Sequence, residues 1–473
     1  MDILLTIFIV SITLILSKFL FKKSNCEEGS YKKIPIVGGG LPFIGHGHLI
    51  SKDILGFVRN SYNKYGSIFQ IKIFNKNTVV VCDRSLIKEY FSAKEEEMSL
   101  YDALAGLNFV DGFSDDPHSG SLNMRIIKKI IGSDVNKFMP KIMAQAQNMI
   151  SRFKTQGKQN IKLSTEMIKF VSCTSAICFI GIELSDELFD YLMKFTHLQN
   201  KIIGYTYFIP RYVLNMTFNQ VLRYYRKKIS NLLEENINSY RNNPTKNDSL
   251  VFRMLVDYVD EITGKPLTNT QISNTIICLL YVSSENTSLG LTAVLTDLIL
   301  NPKYWNMIKE ESHKHLENND IKSLFASKIL DSVVTETARM NTHMFSLIRK
   351  PKNKLLLGDY YLGNIDVVAV CAPMMMTFDC AEDKYRDCST YNPERFLSDN
   401  PESTSSTDFL TFGSGSHLCP GKKFALYEIK AGISLMTTNF ELPEIVKFGE
   451  LNYFSPAVFA ERPVEIILTP ISN

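Results

Sequence analysis

The ten residues FGSGSHLCPG, 412–421, place one cysteine, Cys419, among three glycines, a histidine and a proline. A lone cysteine is more often a small core hydrophobe than a reagent. Here Gly413, Gly415 and Gly421 clear side-chain bulk from around the sulfur and let backbone approach it and a flat ligand closely. Pro420 favours the first turn of a helix, and GKKFALYEIKAGISLM after it has helical spacing. The sulfur is therefore expected at a helix N-terminus, where free N–H groups and the dipole favour a thiolate. Its neighbours form no zinc spacing. The pattern suits one metal bond, to an iron already held by four nitrogens of a planar ring.

A second polar cluster lies where a helix should be greasy. From Thr270 to Leu300 the chain is helix-compatible and is stopped by Asn301-Pro302. Such a helix would run on the order of 45 Å, the width of a domain. Its flanks, IICLLYV and LGLTAVLTDLIL, demand burial, yet SSENTS, 283–288, sits between them. These polar residues need partners or water, and they loosen the helical ladder. A water-exposed window, a helix–helix hydrogen-bond network or a chemical site would each account for them.

TFGSGSHLCPGKKFALYE resembles the haem-binding signature of cytochromes P450, with Phe412, Gly415, Cys419 and Gly421 at the matching positions, then Phe424, Ala425 and Glu428. The pair Glu336 and Arg339 in ETAR, followed by Pro393, Glu394, Arg395 and Phe396, resembles further family marks in the expected order. The resemblance covers nearly the whole chain. It implies haem b with Cys419 as axial thiolate, and a buried Glu336–Arg339–Arg395 network that retains it. By family spacing the propionate partners are Arg125, Arg349 and His417. His417 stands where most members have arginine, and Ser121 stands where a tryptophan usually precedes Arg125 by four residues.

SSENTS resembles the family's oxygen-activation motif, with Thr287 as the threonine and Asn286 at the acid position, a departure. Shifting the register by one residue makes Glu285 the acid and Asn286 the threonine; both registers stand. In either, the usual carboxylate–hydroxyl pair is not intact. The implied activity is a monooxygenase that inserts one atom of O2 into a hydrophobic small molecule. Electrons would come from an NADPH-cytochrome P450 reductase docked near Lys422, Lys423, Lys128 and Lys129. Asn286 also admits an isomerase or dehydratase acting on a hydroperoxide without external O2, and a degraded relay admits a non-catalytic haem-binding protein. His417 and the non-acid residue before Thr287 are similar to the sterol demethylase branch, while the rest of that branch's signature is not evident.

Several elements must position these residues. SIFQIKI and TVVVC read as a β-hairpin, 85–345 as mostly helix, and 354–371 as returning strand. The expected fold class is mainly α with small β-sheets (α+β), one large P450-like domain over 46–473. The pocket would draw on 101–113, 201–216, 343–347 and 453–460, all apolar and aromatic. Of 473 residues, 45% are hydrophobic, and a net charge of +3 without a basic run gives no support for nucleic-acid binding. Nine scattered cysteines suggest no disulfide framework. The protein is expected to be monomeric.

The N-terminal run is apolar from Ile3 to Leu16 and continues through Phe21, close to the roughly 20 residues a bilayer span needs. Asp2 before it and the lack of a small-residue cleavage site argue against a cleaved signal peptide. Lys18, Lys22, Lys23, Lys32 and Lys33 all follow, which places the body on the cytosolic side. The expectation is a single-pass anchor at 1–23 in endoplasmic reticulum lipid, then a linker and Pro/Gly hinge at 24–45.

Overall fold

The structure, a computed structural model, describes residues 31–471 apart from 43, 75, 116–118, 132–134, 207–208, 210, 244–248, 342–345, 353–354, 379–380, 398–400, 403, 406 and 450–463. In chain order the elements used below are α1 (Ile54–Tyr65), β1 (Ile68–Ile73), β2 (Lys76–Val81), α2 (Ile87–Ser92), β3 (Met98–Ser99), α3 (Leu100–Gly106) and α4 (Phe109–Phe113). Next come α5 (Ser119–Ile131), α6 (Met139–Gln156), β4 (Gln159–Lys162), α7 (Leu163–Phe179), α8 (Asp186–Tyr205) and α9 (Phe218–Asn242). The central helix α10 (Asn269–Leu300) is followed by α11 (Pro302–Glu317), α12 (Lys328–Met340) and β5 (Ser346–Pro351). The chain closes with β6 (Leu356–Leu357), β7 (Tyr360–Tyr361), β8 (Val367–Cys371), α13 (Lys422–Asn439), β9 (Glu444–Phe448) and β10 (Val464–Leu468).

The expected hairpin forms, with β1 and β2 antiparallel and Ile68 opposite Val81. It is extended into a five-stranded sheet in the order β1-β2-β8-β5-β3, in which β2 and β8 run parallel and the other pairs antiparallel. Val79, Val81, Val368 and Val370 are buried in this sheet, which accounts for its runs of β-branched residues. β4, β10 and β9 make a second, three-stranded sheet. Helices supply the larger part of the fold.

Both ends of α10 are set locally. Thr268 accepts the Gln271 N–H at 3.2 Å while Gln271 accepts the Thr268 N–H at 3.0 Å, a reciprocal cap, and Asn301-Pro302 ends the helix where the sequence predicts. Its apolar residues, among them Ile276, Leu280, Leu291 and Leu298, are buried against α7, α9 and α13. A Cβ at Gly432 of α13 would stand 3.0 Å from a Leu291 methyl, so this glycine sets how closely the two helices pack.

The part of the expected linker that is described, 31–42 and 44–45, is pinned to the body. Val37 N–H donates to Gln70 at 2.9 Å and Gln70 N–H to Pro35 at 2.7 Å. Buried His46 accepts the Lys72 N–H on Nδ1 at 3.0 Å and reaches the Val37 carbonyl with Nε2 at 3.1 Å. The anchor expected at 1–23 lies outside the described residues. Among those described, no helix is long and apolar enough to cross a membrane.

Candidate active site

The cysteine loop is built by short backbone bonds. Cys419 N–H donates to the Phe412 carbonyl at 2.9 Å and Leu418 N–H to Gly415 at 3.2 Å, closing the segment on itself. Thr411 ties it to α12 through the Ala338 carbonyl at 2.8 Å. The helix after the loop begins at Lys422 with Gly421 as its cap, two residues later than Pro420 suggests. The N–H groups of Gly421 and Lys422 nonetheless lie where they favour the Cys419 thiolate. Burial pushes the thiol up, and those two donors and the Lys422 charge pull it back only in part. A bound metal cation inverts that balance.

The glycines do not share one purpose. A Cβ on Gly421 would meet only the Cys419 sulfur, at 4.0 Å and thus in ordinary contact, so that side of the sulfur is uncrowded. Gly415 has φ +65°, and a Cβ there would lie 2.3 Å from the Phe91 carbonyl oxygen. Its bareness serves the close approach of α2 to the loop.

The Glu336–Arg339–Arg395 network forms as the sequence predicts, with all three side chains nearly dry. Arg339 makes two bonds to Glu336, at 2.8 and 2.9 Å, and Arg395 reaches the same carboxylate at 3.1 Å. Arg339 also bonds the Cys388 carbonyl at 2.6 Å, and Arg395 bonds Glu402 at 2.8 Å. Every charge in this group is therefore compensated.

The three expected propionate partners differ. Arg349, on β5, is only 4% exposed; it bonds the Ile348 carbonyl and lies over the Tyr90 and Phe91 rings at 5.7 and 6.0 Å. No described carboxylate pairs with it. A guanidinium this dry calls for an anion, which is what a haem propionate is. His417 meets Glu95 at 3.0 Å and stands edge-on to the Tyr101 ring. Arg125, on α5, is more exposed and 3.9 Å from Asp260. Among the described residues no group of three or more His, Cys, Asp or Glu could hold a metal by itself. The open sulfur and the uncompensated Arg349 fit a haem bound through one thiolate.

On α10 the SSENTS residues divide by face. Ser283, Asn286 and Ser288 bond back to the carbonyls of Leu280, Val282 and Glu285. Among the described residues the hydroxyl of buried Thr287 makes no hydrogen bond and the buried Ser284 hydroxyl has no partner. Glu285 accepts from Asn200 of α8 at 2.7 Å, and Asn200 in turn accepts from the Tyr281 hydroxyl at 2.5 Å. A cavity of about 470 Å³ reaches this point. Its walls are largely apolar, with Ile54, Phe57, Leu104 and Ile203 among them, and Glu285 and Asn286 face into it from α10. Of the segments expected to line a pocket, parts of 101–113, 201–216 and 343–347 do so. The stretch 453–460 lies outside the described residues.

Sequence reasoning missed Asn200, Tyr281 and Glu95. Tyr281 and Asn200 meet across 81 residues of chain, which leaves no local signal. Glu95 lies in KEEEM, which reads as a solvated charge run.

The fold, the cysteine loop and the buried Arg349 together define a haem-thiolate protein. The chain belongs to the cytochrome P450 family, whose model matches residues 35–467. It is therefore an oxidoreductase of the oxygen-incorporating kind.

Among curated relatives, a probable lanosterol 14-alpha demethylase of Acanthamoeba polyphaga mimivirus is 46% identical over 96% of this chain; the chain spans 65% of that relative's length. The lanosterol 14-alpha demethylase of Mus musculus is 24% identical over 92% of the chain and 87% of its own length. The sterol 14-demethylase of Arabidopsis thaliana is 23% identical over 94% and 93%. Retinoic acid-bound cyanobacterial CYP120A1 shares the fold with TM-score 0.74 at 18% identity, covering 93% of this chain and all of that one. The cytochrome P450DA haem domain does so with TM-score 0.76 at 15% identity, over 93% and 98%.

Proposed function

We propose that this chain is a sterol 14-demethylase, a haem-thiolate monooxygenase that oxidises a methyl group on a lanosterol-like substrate. The observation that carries this reading is the cavity of about 470 Å³, largely apolar along its walls and lined on α10 by Glu285 and Asn286, the residues just before the buried Thr287. That size and lining suit one rigid hydrophobic molecule of drug-like dimensions. The relatives supply the substrate class.

Cys419 would hold the iron, with Phe412, Gly415 and Gly421 shaping the loop. Arg349 and His417 would hold the propionates, with Arg125 as the third partner. When bound, the haem supplies O2 activation and oxygen insertion. Thr287, with its hydroxyl unengaged by protein, would hold and pass a proton at its Oγ1. Asn286 cannot donate a titratable proton, so the supply would come through water or substrate. Glu285 would act from the wall, tethered by Asn200.

Electrons would come from an NADPH-dependent reductase at a basic face that includes Lys422 and Lys423. Lys128, bonded to the Ser416 carbonyl at 2.9 Å, and Lys129 would border it. The anchor at 1–23, the hinge at 24–45 and the catalytic domain at 46–473, working as a monomer on the cytosolic side of the endoplasmic reticulum, complete this reading.

The experiment is reconstitution of the full chain with haem, a reductase, NADPH and lanosterol. The 14-desmethyl sterol should form, and only when all are present. Asn286 also favours a second reading, a hydroperoxide isomerase, because that chemistry needs no proton relay. Turnover of a lipid hydroperoxide without NADPH, alongside inert lanosterol, would select it.

A further inference from the structure

The acid position of the oxygen-activation motif is occupied by a carboxamide, and the structure shows where that carboxamide points. Asn286 is exposed although it lies mid-way along an otherwise buried helix, and the space it is exposed to is the cavity. Its Nδ2 donates to the Val282 carbonyl at 3.1 Å. That carbonyl can only accept, which fixes the amide's orientation. One N–H and the Oδ1 lone pairs remain on the cavity side, with no described protein group to bond them. The neighbouring Glu285 is committed to Asn200, and Asn200 to Tyr281, so the carboxylate is drawn toward α8. Asn286 is thus the last cavity-lining polar group before the buried Thr287.

We infer that Asn286 is a specificity residue that retains the partly oxidised substrate, holding the hydroxymethyl and then the aldehyde stage of the carbon being removed. This rests on the proposed demethylase reading. A methyl group on a quaternary carbon must be raised to the aldehyde level before its carbon can leave. Methyl to hydroxymethyl consumes one O2, two electrons and two protons and releases one water. Hydroxymethyl to aldehyde consumes the same and releases two waters. Both intermediates are polar groups in an apolar cavity and gain by hydrogen bonding in place.

A carboxamide serves both stages. Oδ1 accepts from the hydroxymethyl O–H, and the free N–H donates to the aldehyde oxygen. A carboxylate could accept from the alcohol but would repel the carbonyl. The starting methyl offers Asn286 nothing to bind.

The test uses the full haem-loaded chain, with Asn286→Leu and Asn286→Asp beside the parent. Lanosterol and its 14-hydroxymethyl and 14-aldehyde forms are titrated by calorimetry, and the sterols released during turnover are assayed in parallel. Asn286→Leu should weaken both oxidised sterols by about tenfold and leave lanosterol within about twofold. Asn286→Asp should weaken the aldehyde selectively. Both variants should release more unfinished intermediate. Equal weakening of all three sterols, or of none, overturns the inference while the demethylase reading stands. A parent protein that binds no lanosterol at all overturns both.

Discussion

Glu95 and His417 are bonded at 3.0 Å, and this contact joins the cysteine loop to the start of α3. The same Glu95 carboxylate accepts from Ser99 at 2.5 Å and from the N–H groups of Leu100 and Tyr101, each at 3.1 Å. One side chain therefore caps the helix whose residues 102–104 line the cavity and steadies a histidine two residues from the metal ligand.

Burial pushes the Glu95 carboxyl up, but the bonds from His417, Ser99, Tyr101 and Leu100 outweigh it and bring the group to about 2. A carboxyl held below its ordinary 4.5 contributes stability above that value and loses it as pH falls toward 2. Glu95→Gln should cost about 1 kcal/mol at neutral pH, allowing for solvent screening. Thermal melts of parent and variant should converge on acidification.

Glu428 shows the opposite sign. Both its oxygens are buried on α13 without a partner among the described residues, and burial holds the carboxyl well above the ordinary range. Such a group favours the folded state most when protonated, so its contribution falls as pH rises above about 4.5 toward the raised folded value. Glu428→Gln should flatten that decline and gain about 1–3 kcal/mol over the parent at alkaline pH. Denaturant midpoints across the pH range would show a widening gap; parallel curves would mean the carboxyl is solvated.

Replacing Cys419 by serine should abolish the red-shifted Soret band of the reduced CO complex, because the thiolate is the source of that signature. Circular dichroism should stay native, since the loop's own bonds run through Phe412 and Gly415.

Thr287→Ala should lower product yield about tenfold or more while NADPH consumption continues, with the difference appearing as hydrogen peroxide. Unchanged coupling would point instead to substrate-assisted protonation or to the shifted register, in which Glu285 is the acid.

Glu336→Gln leaves the buried Arg339 guanidinium without a carboxylate and Arg395 with Glu402 alone. The expected cost is about 3–5 kcal/mol, with haem loss on mild heating.

What was legible in the sequence follows how local each determinant is. The C-terminal end of α10 could be read because Asn301 and Pro302 are adjacent, whereas the equally local Thr268–Gln271 cap at its other end went unread and the start was set one residue late. Cys419 could be read because its glycines and proline are neighbours in sequence. The start of α13 was placed two residues early, since Pro420 suits a first turn but the loop's bond from Cys419 to Phe412 claims that stretch first. Asn200 and Glu95 were invisible, because what makes each matter is a partner brought from another helix or loop. The division of SSENTS into a cavity-facing Asn286 and a buried Thr287 needed the packing of α8 against α10.

The nearness of the Phe91 carbonyl to Gly415 has its own consequence. The obstacle to any side chain at 415 is main chain, which cannot swing aside as a rotamer can. The ligand-bearing loop and the short helix at 87–92 are in effect one machined joint, and a substitution at 415 would be absorbed only by moving both.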